Sequence, residues 1–357
     1  MESMEDQRYV KNLLDLNEDC LQEIFEYLEA PDQNQVRKVC PRFNEIIQQI
    51  WRRTKILKID YQWDYEKSQE DFINYIEVVS GVAVKVTFCP LPTTHKFNKA
   101  IYIRSRSLIN MLQTFIFSNA QELSFHGCVE ACHLLGSFPK LKKLELKVFS
   151  ASPFLSCTYC LLTDQNAFQS LESLDISGKI SKVLPNCNGI RQMRNLREII
   201  ISHTDLFANW FSELSEVLEN RVIHTFAGRV DIMNAFRMPD VKILMVPLFQ
   251  KSWKYKLLHE IRKYKTLEVL YIYGHPLDQQ FIEEFEKVLA NTRISKEPLR
   301  VTYVRKPGSY FAPLFPTKNS KFMQLSSVDK NQCEEVASDL NRVNRRFACK
   351  IQLNPLN

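Results

Sequence analysis

FPKLKKLEL, Phe138 to Leu146, is the phrase on which the fold turns. Phe138, Leu141, Leu144 and Leu146 are its apolar members, and Leu144-Glu145-Leu146 alternates as a strand with one buried face does. The same apolar-x-x-apolar-x-apolar pattern appears upstream as AQELSF (120–125). Downstream it appears as LESLDI (171–176), LREIII (196–201), VKILMV (241–246) and LEVLYI (267–272). Three residues before each stands Phe117, Phe168, Met193, Met238 or Tyr264, the counterpart of Phe138. The central residues, Leu123, Leu144, Leu174, Ile199, Leu244 and Leu270, are 21, 30, 25, 45 and 26 apart, and the long step leaves room for a degenerate unit around Arg221–Gly228. Trp210–Leu218, Trp253–Tyr264 and Phe281–Leu289 carry apolar residues at helical spacing. Strand, turn and helix in repetition make a unit that buries its face only against its neighbours.

The pattern extends outward on both sides. ILKID from Ile56 and VAVKVTF (82–88) read as strands, with helices at Ser68–Ser80 and Ser107–Phe117 and a proline-bearing loop at 89–100. EPLRVTYV (297–304) reads as the last strand. KPGSYFAPLFP (306–316) is then a loop, and Ser327–Phe347 a capping helix through Val336, Leu340 and Val343.

The repeating phrase resembles the leucine-rich-repeat family. In that family Asn or Cys follows three residues after the last apolar position; here Cys128 does, but Phe149, Lys179, Thr204, Phe249 and His275 stand in the later units. The resemblance therefore implies an irregular solenoid, with a parallel sheet on the concave face and helices on the convex face. An ordinary α/β domain of repeated βα units is the alternative.

Ahead of the repeats lies LLDLNEDCLQEIFEYLEAPDQNQVRKVCPRFNEIIQQIW, Leu13 to Trp51. Leu21, Ile24, Phe25 and Leu28 form one helical stripe, and Asn17 is placed to cap it, with Glu18 and Asp19 in the first turn. Ala30-Pro31 is expected to stop this helix. Asp32 then opens a second, with Gln35 as capping-box partner and Val36 and Val39 on its inner face. Pro41 opens a third, carrying Phe43, Ile46, Ile47, Ile50 and Trp51. Three short helices in about 40 residues lie at the lower limit of independent stability, so a neighbouring domain or a partner completes the core.

In order and spacing, Leu16, Leu21, Ile24-Phe25, Leu28, Pro31-Asp32, Val36, Val39-Cys40, Phe43 and Trp51 resemble the F-box. Asn17 stands where the family has proline and Gln33 where it has leucine, both expected near the adaptor-facing surface. The two resemblances together imply a substrate-recognition subunit of an SCF ubiquitin ligase. The F-box would dock on a Skp-type adaptor that bridges to a cullin-RING core, and the repeats would hold a protein substrate. Leu16, Leu21, Ile24, Phe25, Leu28, Pro31, Val36, Val39, Phe43 and Trp51 are the expected adaptor contacts, some of them facing the solenoid instead. The expected organisation is a tail (1–12), the F-box (13–55), the solenoid (56–305), and a C-terminal loop with a capping helix (306–357).

Composition bounds the rest. No run of about eighteen apolar residues suggests a membrane span. The polar start MESMEDQRYVKN is unlike a secretory signal, and ten scattered cysteines without a disulfide framework fit reduced thiols in the cytosol or nucleus. Cys157 and Cys160 have metal-pair spacing, but a structural zinc site needs four ligands and no second pair follows. No phosphate-cradling glycine loop or nucleophile elbow is present, so neither cofactor, metal nor catalytic function is expected. The net charge of +6 is mild. KSWKYKLLHEIRKYK (251–265) gathers lysines with Trp253, Tyr255 and Tyr264, a mix suited to RNA or, more simply, to a solvated helix face. A non-catalytic scaffold working outside a ligase is the principal rival reading.

Period-two alternation places the x positions on the open sheet face. Glu122, Ser124, His126, Lys143, Glu145, Lys147, Ser173, Asp175 and Ser177 are polar there, and Glu198 and Ser202 remain so. Ile200, Ile243, Met245, Val269, Tyr271 and Tyr273 are apolar or aromatic, and form the candidate substrate site. Coverage by the C-terminal tail is the equal alternative.

Overall fold

The computed structural model describes residues 13–60, 69–89, 107–127, 134–148, 169–178, 193–202, 222–227, 240–248, 252–274, 277–292, 297–305, 318–319 and 323–328. The expectations for residues 1–12, 210–218 and 306–316 fall outside these, as do those for most of 327–347, for Cys157 and Cys160, and for the position three after each phrase.

Repetition of one phrase builds one sheet. Its strands are β1 (Ile56–Asp60), β2 (Lys85–Cys89), β3 (Glu122–Gly127), β4 (Lys143–Val148), β5 (Ser173–Gly178), β6 (Glu198–Ser202), β7 (Thr225–Ala227), β8 (Ile243–Leu248), β9 (Val269–Gly274), β10 (Leu299–Arg305), β11 (Lys318–Asn319) and β12 (Met323–Val328). They lie in chain order until the end, where β12 precedes the edge strand β11. Every pairing is parallel except that of β11 with β12. Neighbours in sequence are neighbours in space, which is the definition of a solenoid.

The apolar positions of the phrase explain why. Leu141, Leu144 and Leu146 are buried, and so are their counterparts in the other units that are described. Phe117, Phe138, Met193 and Tyr264 are buried with them, and the rings of Phe117 and Phe138 stack at 4.7 Å. The backbone repeats too. The carbonyl of Gln121 accepts from the N–H groups of Lys142 and Lys143, that of Lys142 from Glu172 and Ser173, and that of Glu172 from Arg197 and Glu198. The same double bond recurs at Arg197, His224 and Lys242, so the register never slips and side chains stack in rows across the sheet. Just before three phrases, Asn119, Ser170 and Asn195 donate side-chain hydrogen bonds to the carbonyls of Gly81, Leu141 and Gln169.

The described helices are α1 (Glu18–Glu26), α2 (Ala30–Val36), α3 (Pro41–Arg53), α4 (Gln69–Ser80), α5 (Trp253–Glu260) and α6 (Gln279–Thr292), with 107–112 also helical. Phe72 and Ile76 of α4, Leu257 of α5 and Phe281 and Phe285 of α6 join one continuous core with the inward strand residues. The helices therefore share the face to which Leu144 and its equivalents point, and the x positions occupy the other.

Several expectations are corrected. Thr225–Ala227 supplies the degenerate unit, but β10 is not the last strand: the sheet runs on past residue 305 to β12, which holds Ser327 and Val328 in place of the start of a helix. The second strand begins at Lys85, because the N–H groups of Val82 and Ala83 bond back to the Val79 carbonyl and close α4. In the N-terminal module α2 starts at Ala30 with Pro31 in its first turn, where a missing N–H costs nothing. Asp32 is thus inside the helix, and no side chain caps it.

Candidate functional site

The N-terminal module is assembled by its own apolar residues. Asn17 caps α1, its side chain accepting from the Cys20 N–H at 2.8 Å. Leu21 and Phe25 point inward to meet Phe43, Ile46, Ile47, Ile50 and Trp51 of α3, with the Phe25 and Phe43 rings edge to face at 4.9 Å. Full burial of each such side chain contributes roughly 1.5–3 kcal/mol. Gln33 occupies the centre. Its Nε2 donates to the Phe25 carbonyl at 2.9 Å, and its Oε1 accepts from Trp51 Nε1 at 2.7 Å. One carboxamide thus joins all three helices, so Gln33 lies inside the module and not on its surface.

Leu21, Phe25, Phe43 and Trp51, four of the ten expected adaptor contacts, are buried in this way. They shape the module and offer no surface. Leu16, Leu28, Pro31 and Val36 are half-buried. Ile24 is 40% exposed and Val39 67% exposed; Val39 sits in the turn after α2, not on its inner face. Three residues outside the expected set belong with them. Tyr27, 84% exposed, continues the outer stripe of α1 from Cys20 and Ile24, and Leu13 and Leu14 are exposed beside it in sequence. Arg42 holds that leading turn by donating to the carbonyls of Leu14 and Leu16. Helical spacing groups residues 20, 24 and 27 on one flank of the helix, about 110° round from Leu21 and Phe25, but does not say which flank stays outside.

The module is fastened to the solenoid through α4. Trp51 meets Tyr75 edge to face at 5.0 Å. Asp71 accepts from Arg37 at 3.3 Å and from Lys38, while Asn34 reaches its carbonyl. The Arg37 guanidinium lies 5.5 Å from the Trp51 ring centre. Burial, and after it the charge of Glu29, raises the Tyr75 phenol above its ordinary range.

On the other sheet face the constant register sets up rows. The middle row runs Lys58, Thr87, Ser124, Glu145, Asp175, Ile200, Ala227, Met245, Tyr271, Thr302. Beside it run Lys85, Glu122, Lys143, Ser173, Glu198, Thr225, Ile243, Val269 and Arg300. Ile200, Ile243, Met245, Val269 and Tyr271 are therefore brought together, as expected; the Tyr273 side chain lies outside the described residues. The face is not open, however. Ser124, Ser173, Asp175, Ile200, Ala227 and Met245 are buried, Asp175 completely, whereas Thr87, Glu145, Tyr271 and Thr302 of the middle row are half-buried and Lys58 is exposed. Ser124 donates to Glu145, and Lys85 and Lys143 both pair with Glu122.

The 251–265 cluster is partly internal. Trp253 and Tyr264 are buried, and Lys254 is buried with its ammonium 2.7 Å from Asp278. Lys263 pairs with the buried Glu260. Of the three aromatic residues only Tyr255 is exposed, so a stacking platform for bases is not assembled. Among the described residues no three potential metal ligands come together, and no helix is long and apolar enough to cross a membrane. Cys20 is exposed, and Cys40 and Cys89 are half-buried, all three as free thiols.

Comparison with known proteins places residues 13–55 in the F-box domain family. The solenoid that follows resembles leucine-rich-repeat proteins in its parallel, in-order sheet. No curated protein matches the chain in sequence. Among solved structures, a Bacteroides fragilis protein determined by the Northeast Structural Genomics Consortium is similar at a TM-score of 0.45 and 13% identity, over 68% of this chain and 72% of that one.

Proposed function

We propose that the chain is the substrate-recognition subunit of an SCF ubiquitin ligase, acting in the cytosol or nucleus. An F-box supports a substrate-adaptor role in general. The observation that carries the finer reading is the sorting of its apolar residues. Leu21, Phe25, Phe43 and Trp51 are consumed internally, yet the side chains of Leu13, Leu14, Ile24, Tyr27 and Val39 remain exposed. A module this short does not leave so many large apolar side chains in water without a partner to cover them. That partner is a Skp-type adaptor, and the solenoid takes the protein substrate.

In this role the chain contributes proximity rather than chemistry. Ubiquitin transfer belongs to the E2 cysteine and the RING subunit. Holding a substrate lysine near that centre replaces a bimolecular encounter with a local effective concentration. Rigid attachment serves this. With Trp51 packed on Tyr75 and Asp71 gripping Arg37 and Lys38, the distance from adaptor to substrate face is fixed by packed side chains rather than by a linker.

The test is affinity capture of the full chain from cells, scored for adaptor and cullin, against Ile24→Asp with Val39→Asp. Removing residues 1–55 would be a poor control, because it would strip α4 of its cover. Recovery of both partners by the wild type and loss of both by the variant is expected. Equal recovery by the two, or by neither, removes the ligase reading in favour of a scaffold.

A further inference from the structure

We propose that the β1–β4 end of the sheet face opposite the helices, beside the N-terminal module, docks an acidic, extended segment of a partner protein. The inference rests on the reading above for calling that partner the substrate, and on the surface alone for the binding.

Exposure differs along this face. Ser173, Asp175, Ile200, Ala227 and Met245, on β5 to β8, point away from the helices and are buried. At the β1 end, by contrast, Ile56 is 65% exposed and Lys58 is exposed. The side chains of Lys85 on β2 and Lys143 on β4 keep 45% and 46% of their surface. Register makes these one surface. Ile56 lies beside Lys85, Lys85 beside Glu122 and Glu122 beside Lys143, with Lys58 and Thr87 paired in the next row.

The charge on this end sets the partner. The chain enters β1 through Arg52, Arg53 and Lys55, all exposed. Arg52 and Arg53 also suit the last turn of α3, where the helix dipole favours cations, but that does not account for Lys58, Lys85 and Lys143 on the sheet. Against these six cations the described side chains of the β1–β4 face supply the carboxylates of Glu122 and Glu145, and Glu145 already accepts from Ser124. Lys85 at 3.7 Å and Lys143 at 3.3 Å share Glu122. An ammonium has three donors, so each lysine can take a second carboxylate without giving up the first. From β1 to β4 is three strand spacings, about 14 Å, which four or five residues of extended chain cover. Such a segment brings carboxylates to Lys58, Lys85 and Lys143 and an apolar side chain to Ile56. A nucleic acid fits less well. Its phosphates would cross Glu122 and Glu145, and the described side chains of this face include no aromatic ring on which a base could stack. Location gives the dock its use. Only Thr54 and Lys55 separate α3 from β1, so a segment held here is held at the foot of the adaptor-binding module.

Fluorescence anisotropy of the full chain tests this with a short labelled peptide in which glutamates and aspartates surround one leucine. Saturable binding with a Kd of about 100 μM or tighter at about 0.05 M salt, weakening as salt rises, is expected. Lys58→Glu, Lys85→Glu and Lys143→Glu together should weaken it at least about tenfold. The milder set Lys58→Gln, Lys85→Gln and Lys143→Gln, its fold checked by circular dichroism, should weaken it at least about threefold. Lys256→Glu, Arg262→Glu and Lys265→Glu make the same change of net charge at exposed positions on and just after α5, and should stay within about twofold of wild type. The proposal is overturned by absence of saturation at about 1 mM, by equal weakening in the two triple reversals, or by tighter binding of a single-stranded RNA of the same charge. The assay contains no adaptor and the adaptor capture contains no peptide, so either reading can fail without the other.

Discussion

Replacing Gln33 by leucine, the residue the F-box family has there, should destabilise this chain although it adds a buried apolar side chain. Leucine would bring roughly 1.5–3 kcal/mol of burial, offset by loss of the glutamine's own aliphatic packing. Against this, two buried hydrogen bonds disappear, one from Gln33 Nε2 to the Phe25 carbonyl and one from Trp51 Nε1 to Gln33 Oε1. Trp51 Nε1 is then orphaned at about 1–3 kcal/mol, while the Phe25 carbonyl keeps the Leu28 N–H at 3.1 Å and loses only about 0.5–1.5 kcal/mol. The net loss expected is about 1–2 kcal/mol. With a urea slope of roughly 3 kcal/mol per molar, the midpoint falls by a few tenths of a molar. Urea titration followed by fluorescence and circular dichroism measures it, and repeating the substitution in Trp51→Phe isolates the cause. There the indole N–H is already gone, so Gln33→Leu should cost clearly less. An unchanged or raised midpoint, or an equal cost in both backgrounds, refutes the assignment of Gln33 as the internal tie.

Tyr264→Phe should raise stability by up to about 1–2 kcal/mol, because its buried hydroxyl has no hydrogen-bond partner among the described residues; a lowered urea midpoint counts against it. The contribution of Tyr75 and Tyr264 to stability should be constant below about pH 10 and fall above it. The phenols of Tyr75 and Tyr264 are raised first by burial and then by Glu29 and Glu260 respectively, so the unfolded chain releases these protons first. The fall approaches 1.4 kcal/mol per pH unit per tyrosine, and the Tyr75→Phe, Tyr264→Phe double variant should flatten it between pH 9 and pH 11. Asp71→Ala removes the acceptor of Arg37 and Lys38 and should cost about 1–3 kcal/mol. Faster amide exchange in α2 and α4 but not in β4–β6 is the signature; uniform exchange would show that the junction is not held there. Ile24→Asp with Val39→Asp should leave the stability measured by urea titration within about 0.5 kcal/mol of wild type, since both side chains already face water.

The solenoid was legible because its information is periodic. Leu123, Leu144, Leu174, Ile199, Leu244 and Leu270 repeat with their preceding apolar residues, and a wrong register would expose all of them at once. β7 was found only as a gap of the right length, and β12 was missed because Ser327 stands where the phrase's last apolar residue belongs, leaving only Phe322 and Leu325 of the pattern. The F-box helices were legible in their spacing, but the division of apolar residues between core and surface was not. Sequence spacing puts Ile24 and Phe25 in the same hydrophobic run, and only the placement of α3 decides that Phe25 goes in and Ile24 stays out. The role of Gln33 was hidden for a similar reason. A polar residue at an apolar family position reads as surface until its partners, eight and eighteen residues away, are seen around it. Alternation put Asp175, Ile200 and Met245 on the face away from the helices, but it does not encode that they are buried there.

The most direct test is a titration of the purified full chain with a purified Skp-type adaptor by isothermal calorimetry, beside the folded Ile24→Asp, Val39→Asp variant. Saturable one-to-one binding at micromolar concentration or tighter, lost in the variant, is the predicted result. Absence of heat and of complex at tens of micromolar for the wild type, or equal affinity for both proteins, would contradict it.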